Sequence, residues 1–236
     1  ELRDLKAVLR HFANPSGSSF AYSTGPFMGQ RGLAVALVGP PGTGKSMLSN
    51  AIAHELRRPL ITVDSATLAG DGRSFVQLIA DIFTEARVQG AVLLFDRCES
   101  VVNKGNAKLP PLLSQLERQG GLVIFTTNRP DEVDTSLEHY VGYQMNLAMP
   151  DSDQRTRVWA THLPKSLAIH PDVDLDDLGT RFEITGGQIA SACELVEQRV
   201  KSGSDAPVIT QERAKECAHA QIRANMDELS VRSRNC

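Results

Sequence analysis

The chain has 236 residues, of which 41% are hydrophobic and 22% charged, a globular composition with room for one large domain or for a medium and a small one. The formal net charge of −3 argues against a broadly basic nucleic-acid or membrane surface, and no apolar run reaches the roughly 20 residues that cross a bilayer. Four scattered cysteines form no C-x-x-C pair, which favours reduced thiols in a cytoplasmic protein, and the absence of an initial Met predicts a larger parent chain.

Strand and helix patterns alternate through the first 150 residues. A charged, helical opening and a loop rich in Gly, Ser and Pro at 14–32 precede the wholly apolar run at 33–38, which is typical of a strand covered on both faces. Further strands are predicted at 60–63, 91–95, 122–127 and 143–148, and helices at 45–57, 75–89 and 109–119. This alternation predicts a parallel sheet between layers of helices.

The pattern changes at the segment MPDSDQ, residues 149–154. Only helix patterns follow, at 153–163, 175–182, 187–200 and from 211 onward, where Thr210 is a suitable N-cap. The acidic segment 172–178 lacks the Gly and the distal Glu of a calcium loop and predicts a helix start, and Trp159 is a predicted core residue. We therefore predict an α/β domain at 1–150 and a small helical domain at 151–236.

The segment GPPGTGKS, residues 39–46, matches the phosphate-loop pattern G-x-x-x-x-G-K-[ST] between a predicted strand and a predicted helix. Its glycines allow backbone N–H groups to surround an anion at the start of a helix. Lys45 would bring a positive charge to the β and γ phosphates, and the Ser46 hydroxyl would ligate Mg²⁺. The sequence thus predicts nucleotide binding by Gly39, Pro40, Pro41, Gly42, Thr43, Gly44, Lys45, Ser46 and Met47.

Two later strands end in polar residues at the same predicted edge of the sheet. Asp96 follows the apolar run VLLF and is placed to hold Mg²⁺ through water. Asn128 follows the next strand, where its amide would orient an attacking water or contact the γ-phosphate. The predicted metal residues are therefore Ser46 and Asp96, and Asn128 is a predicted catalytic residue.

The order of these segments resembles that of the AAA+ ATPases over nearly the whole chain. The similarity rests on GPPGTGKS, VLLFD and TTNRPDEVD, and then on MPDSDQR and FEITGGQIASA. It implies an α/β P-loop NTPase domain with a five-stranded parallel sheet, a small helical lid domain, binding of ATP or ADP with Mg²⁺, and neighbouring subunits in a ring. Under this resemblance residues 39–46 are the Walker A motif, Asp96 is the Walker B metal residue and Asn128 is sensor 1.

The sequence departs from that family directly after Asp96. Where the family has a Glu that polarises the attacking water, this chain has Arg97. A guanidinium has no lone pair and stays charged, so Arg97 cannot act as a general base. Glu99, two residues later, is the alternative carboxylate at this strand end.

Three further positions differ from the family in the same direction. Glu138 and His139 stand where the family carries an arginine finger, and Ala190 stands where it carries the sensor 2 arginine. The stretch 68–75 lacks the central pore-loop aromatic residue, and its Phe75 is expected to begin the core face of the next helix. Elements that bind nucleotide are thus kept, and elements of turnover are replaced.

These features favour an ATP-binding AAA+ module with impaired or absent hydrolysis, which acts as a nucleotide-stabilised structural or regulatory subunit of an assembly. The alternative is an active AAA+ ATPase that remodels protein complexes with catalytic groups from neighbouring subunits, from Glu99, or from Arg97 as a charge stabiliser of the γ-phosphate. A third hypothesis is a DNA-associated, clamp-loader-like subunit, against which the acidic balance argues. The predicted partners are therefore nucleotide and protein subunits, and neither nucleic acid nor membrane.

Overall fold

A computed structural model describes residues 2–13, 32–64, 68, 74–118, 120–202 and 208–234. The chain divides into two compact units, Glu1–Pro40 with Lys45–Leu147 and Pro41–Gly44 with Ala148–Cys236. The predicted loop at 14–32 lies outside the described residues except for its last residue, and most of the stretch 68–75 lies outside them as well. The predicted domain boundary near residue 150 can be set beside the division at Leu147 and Ala148.

The first unit alternates helices and strands in the order that the sequence indicates. Its elements are α1 (Leu2–Ala13), β1 (Leu33–Val38), α2 (Lys45–Glu55), β2 (Leu60–Val63), α3 (Phe75–Gln89), β3 (Val92–Phe95), α4 (Glu99–Val102), α5 (Leu109–Arg118), β4 (Leu122–Thr127), α6 (Thr135–Glu138) and β5 (Val141–Asn146). A 3₁₀ turn at Pro130–Glu132 lies between β4 and α6.

The five strands form one parallel sheet in the order β2-β3-β4-β1-β5, which confirms the predicted fold class. Every residue of β1, β3 and β4 is buried, as expected for apolar strands covered by helices on both faces. Val38 pairs with Thr127, and Phe95 pairs with Phe125. Because these strands run in the same direction, the residues that follow β1, β3 and β4 lie at one edge of the sheet.

The sheet separates two apolar cores in this unit. On one face Phe95 stacks on Phe125, with ring centroids 5.3 Å apart, and α3 and α5 pack against them. On the other face Val35 and Leu37 pack with α1 and α2. Burial on both faces stabilises the central strands and fixes where their polar ends emerge.

Three boundaries and two short helices differ from the predictions. β5 begins at Val141 rather than at 143, because an edge strand with alternate exposed residues gives no continuous apolar run. β3 begins one residue later than predicted, and α2 ends at Glu55, followed by Arg57 in a left-handed conformation with φ +53°. The helices α4 and α6 have four residues each, too few to produce a helical period in the sequence.

The second unit is mainly helical. Its elements are α7 (Ser152–His162), β6 (Ala168–Ile169), α8 (Leu175–Arg181), α9 (Gly186–Ser202), β7 (Val208–Ile209) and α10 (Gln211–Arg234). The prediction of helices alone is wrong at β6 and β7, which pair in parallel over two residues each, a length below any recognisable alternation.

Local side-chain chemistry sets the ends of these helices. Asp151 forms a capping box with Gln154 at the start of α7, and Asp174 accepts hydrogen bonds from two backbone N–H groups at the start of α8. The predicted helix start in the acidic segment and the N-cap at Thr210, whose hydroxyl accepts from Arg213 N–H, are confirmed. Trp159 is fully buried in the core of this unit, as predicted.

Among the described residues, no helix combines the length and the apolar character needed to cross a membrane.

Candidate functional site

The phosphate loop connects β1 to α2 at the edge where β3 and β4 also end. Gly39 has φ +151°, and a Cβ atom there would lie 2.1 Å from the backbone oxygen of Leu147. Only glycine fits so close an approach of two backbone segments. The Gly39 N–H donates to the Thr127 carbonyl at 3.2 Å, which ties the first residue of the loop to the end of β4.

Lys45 lies over its own loop. Its Nζ donates to the carbonyl oxygens of Gly39 at 2.7 Å and Pro40 at 2.8 Å, and the residue is only 7% exposed. Burial lowers the pKa of Lys45, while the carboxylates of Asp96 and Glu99 act in the opposite direction. The ammonium group and both carboxylates therefore belong to one electrostatic environment.

Asp96 joins three segments of the first unit. Its Oδ1 accepts hydrogen bonds from Ser46 Oγ at 3.0 Å and from Thr126 Oγ1 at 2.7 Å. Thr126 is fully buried, and its hydroxyl also accepts the Arg97 N–H at 2.8 Å. The structure thus brings together the two residues predicted to serve the metal. Sequence reasoning missed Thr126, for which the only available signal was a hydroxyl residue at the end of a buried strand.

The donors at this point are compatible with Mg²⁺. A hydroxyl and a carboxylate are hard oxygen donors, and Mg²⁺ usually takes one or two protein ligands together with phosphates and water. In the described part of the chain, no group of three or more His, Cys, Asp or Glu residues could hold a metal ion. Ser46 and Asp96 would therefore hold Mg²⁺ only together with the phosphates of a bound nucleotide.

Arg97 has an unusual backbone conformation beside this carboxylate. Its φ is +52°, a left-handed conformation that costs a non-glycine residue about 1–2 kcal/mol. Hydrogen bonds on both sides hold it, since the Arg97 N–H bonds to Thr126 Oγ1 and the Cys98 N–H bonds to the Thr126 carbonyl at 3.0 Å. The guanidinium Nε lies 4.0 Å from Asp96 Oδ2, and the side chain is 65% exposed. The position predicted to lack a base therefore presents a mobile positive charge.

Glu99, at the start of α4, bonds to the end of β4. Its Oε1 accepts from Thr127 Oγ1 at 3.1 Å and from the Asn128 N–H at 2.6 Å. Asn128, the predicted sensor 1 residue, thus follows β4 at this edge with its backbone fixed by Glu99. Of the two carboxylates, Asp96 is bound to the phosphate-loop side and Glu99 to the Asn128 side.

The remaining predicted positions lie in several places. Met47 is on α2 with 73% of its surface exposed. Glu138 ends α6 and His139 follows it, both exposed, while Ala190 lies within α9 of the second unit. Phe75 begins α3 and packs against the first core, as predicted. The central residues of the predicted pore-loop stretch lie outside the described residues.

Residues 35–148 match the model of a protein family described as ATPase family associated with various cellular activities (AAA). A cell division cycle protein 48 homolog from Archaeoglobus fulgidus is 30% identical over 177 residues, which cover 68% of this chain and 24% of the relative. An ATP-dependent zinc metalloprotease FtsH 2 from Salinibacter ruber is 31% identical over 166 residues, covering 61% and 24%. A katanin p60 ATPase-containing protein of the A-like 1 type from Sorex araneus is 27% identical over 185 residues, covering 67% and 37%. The chain therefore spans well under half of the length of these relatives.

A solved structure described as "Structural Basis for Katanin Self-Assembly" superposes with a TM-score of 0.74 at 22% identity. The match covers 93% of this chain and 82% of that chain. At this level of identity the likeness concerns the fold alone, and it agrees with the five-stranded parallel sheet flanked by helices.

Proposed function

Because residues 35–148 form an AAA ATPase family domain with homologues among cell division cycle protein 48, FtsH and katanin proteins, we propose that this chain binds ATP with Mg²⁺ and hydrolyses it slowly or not at all. Residues 39–47 would bind the nucleotide, Ser46 and Asp96 the metal, and Asn128 the γ-phosphate side. The buried ammonium of Lys45 and the hydrogen bond between Ser46 and Asp96 support these roles.

One observation supports weak hydrolysis above all others. The side chain that follows Asp96 is a guanidinium, 4.0 Å from the carboxylate that would serve the metal. A general base must accept a proton from the attacking water, and a guanidinium has no lone pair with which to do so. The residues Glu138, His139 and Ala190, at the other turnover positions of the resemblance, support the same conclusion.

The direct experiment compares bound nucleotide with turnover. Protein purified without added nucleotide should retain ATP, and steady-state phosphate release should be far below the enzyme median of about 10 s⁻¹. Lys45→Ala should abolish retention of labelled ATP, whereas Lys201→Ala, which removes an exposed lysine paired with Glu197 in the second unit, should not. Equal retention by Lys45→Ala would show that the phosphate loop is wrongly assigned.

A second function, an active ATPase that remodels protein complexes, is favoured by the position of Glu99. This carboxylate lies within hydrogen-bond distance of the Asn128 backbone, near the predicted γ-phosphate side of the site. Its Oε1 is already held by two donors, so we expect Glu99 chiefly to fix the Asn128 segment. Phosphate release that stops in Glu99→Gln would support the active enzyme. A rate that rises in Arg97→Glu would mean that only the base is missing.

In a cell, nucleotide that is retained but not hydrolysed would act as a structural ligand. At 100 times its Kd, a ligand that binds only the folded chain adds about 2.7 kcal/mol to the free energy of unfolding. We therefore propose a structural or regulatory subunit of a larger assembly, with nucleotide binding in residues 1–150 and a helical lid in residues 151–236. Light scattering with and without ATP tests this role, since a monomer under all conditions would argue against a ring subunit.

A cytoplasmic location forms part of the same proposal. The described cysteines, Cys98, Cys193 and Cys217, are free and buried, in keeping with a reducing compartment. Imaging of the tagged parent protein in its own cell would test the location.

A further inference from the structure

The charges around Asp96 are balanced in this chain in a way that depends on Arg97. Lys45 and Arg97 carry two positive charges, and Asp96 and Glu99 carry two negative charges. Lys45 interacts electrostatically with both carboxylates, and Arg97 lies 4.0 Å from Asp96 Oδ2. The four groups together are neutral. A Glu at position 97 would make them doubly negative, a difference equal to the charge of one Mg²⁺ ion.

This difference matters because the ligand is a polyanion. A nucleoside triphosphate brought to a doubly negative group needs a divalent cation to offset the repulsion. Brought to a neutral group that contains an ammonium and a guanidinium, it meets two cations that can form charge-assisted hydrogen bonds with phosphate oxygens. The positive charge that a metal ion normally supplies is thus partly present in the protein.

The structure also directs the guanidinium to this region. Thr126 fixes the backbone on both sides of Arg97 in the left-handed conformation, and Asp96 holds Ser46 through Oδ1 while its Oδ2 is near the guanidinium. Asp96 thus stands between the arginine and the first helical turn of the phosphate loop. With 65% of its side chain exposed, Arg97 can turn from Asp96 to a phosphate without leaving a buried cation unpaired.

We propose, on the basis of nucleotide binding at this site, that Arg97 binds the triphosphate directly and makes the affinity for ATP nearly independent of Mg²⁺. The ligand is then a nucleoside triphosphate with or without its metal ion. Mg²⁺ can still be held by Ser46 and Asp96, but it contributes little to affinity because Arg97 supplies equivalent charge.

The test is a titration of ATP by calorimetry, once with Mg²⁺ and once with EDTA. In the unaltered chain the two Kd values should agree within about threefold. Arg97→Asn removes the charge and tolerates a positive φ, so it should weaken binding in EDTA by about tenfold or more and weaken it less with Mg²⁺. Arg97→Glu should show the strongest requirement for Mg²⁺.

Arg199→Gln provides the control, because it changes the net charge by the same amount as Arg97→Asn at an exposed pair with Glu216 in the second unit. It should leave both Kd values unchanged. If the unaltered chain binds ATP with Mg²⁺ but more than tenfold more weakly in EDTA, the inference about Arg97 is overturned and nucleotide binding stands. Equal binding in EDTA by Arg97→Asn also overturns it. No binding under either condition overturns nucleotide binding itself.

Discussion

Thr126 holds the end of β3 and the end of β4 together through one hydroxyl group. That hydroxyl donates to Asp96 Oδ1 at 2.7 Å and accepts the Arg97 N–H at 2.8 Å, and the residue is fully buried. Thr126→Val keeps nearly the same volume and removes both hydrogen bonds. The methyl group that replaces the hydroxyl can satisfy neither partner, so the change isolates the contribution of the hydroxyl.

The expected loss of stability follows from the two bonds. A hydrogen bond to a charged group contributes about 1.5–3 kcal/mol, and a buried donor left without a partner costs about 1–3 kcal/mol. Asp96 keeps the bond from Ser46, and water can reach the partly buried Arg97 N–H, which reduces both effects. We therefore expect Thr126→Val to lower the free energy of unfolding by about 2–4 kcal/mol.

Thr126→Ser is the matched control, because it keeps the hydroxyl and loses only a methyl group. Its expected cost is about 1 kcal/mol. Urea unfolding followed by circular dichroism, without nucleotide, measures both variants against the unaltered chain. If Val and Ser cost the same, the hydroxyl contributes nothing and the hydrogen bonds around Asp96 do not stabilise the site as we argue.

Three other outcomes are expected from the same structure. Gly39→Ala places a Cβ atom 2.1 Å from the Leu147 oxygen and should cost about 3 kcal/mol or more in urea unfolding; a loss below 1 kcal/mol would contradict the close approach. Hydrogen bonds from Ser136 lower the pKa of Asp134 below 3.8, so its stabilisation is present above pH 3.8 and is lost as the pH falls through the folded-state pKa. Asp134→Asn should therefore flatten the acid limb of a plot of stability against pH, and an unchanged limb would refute this. Burial raises the pKa of Cys193 to about 12, which leaves about one thiol in ten thousand ionised at pH 8. Iodoacetamide should modify it only after unfolding, as read by mass spectrometry, and rapid labelling of the native chain would show that it is accessible.

The apolar runs carried most of the information about the fold. Residues 33–38 and 122–127 are buried along their whole length, and their bounds agree with the predicted ones. Where one face of an element is exposed, as in β5, the run is interrupted and its start was misplaced. Elements of two to four residues, such as α4 and β6, are held by tertiary contacts that no local pattern encodes.

The candidate site divides in the same way. A contiguous motif with a chemical requirement at each position predicted that Ser46 and Asp96 would meet, and they lie within hydrogen-bond distance. The role of Thr126 and the left-handed backbone of Arg97 depend on two strands that are adjacent in space but some 30 residues apart in sequence. Side-chain identity therefore gave the chemistry of Arg97, but its orientation required the fold.

The backbone of Arg97 has a consequence for engineering. A glycine at this position would relieve about 1 kcal/mol of conformational strain, so a search for more thermostable variants would favour replacing the arginine. Such a variant would gain stability while losing the guanidinium beside Asp96. Selection for heat resistance and selection for ligand recognition therefore act against each other at this one residue.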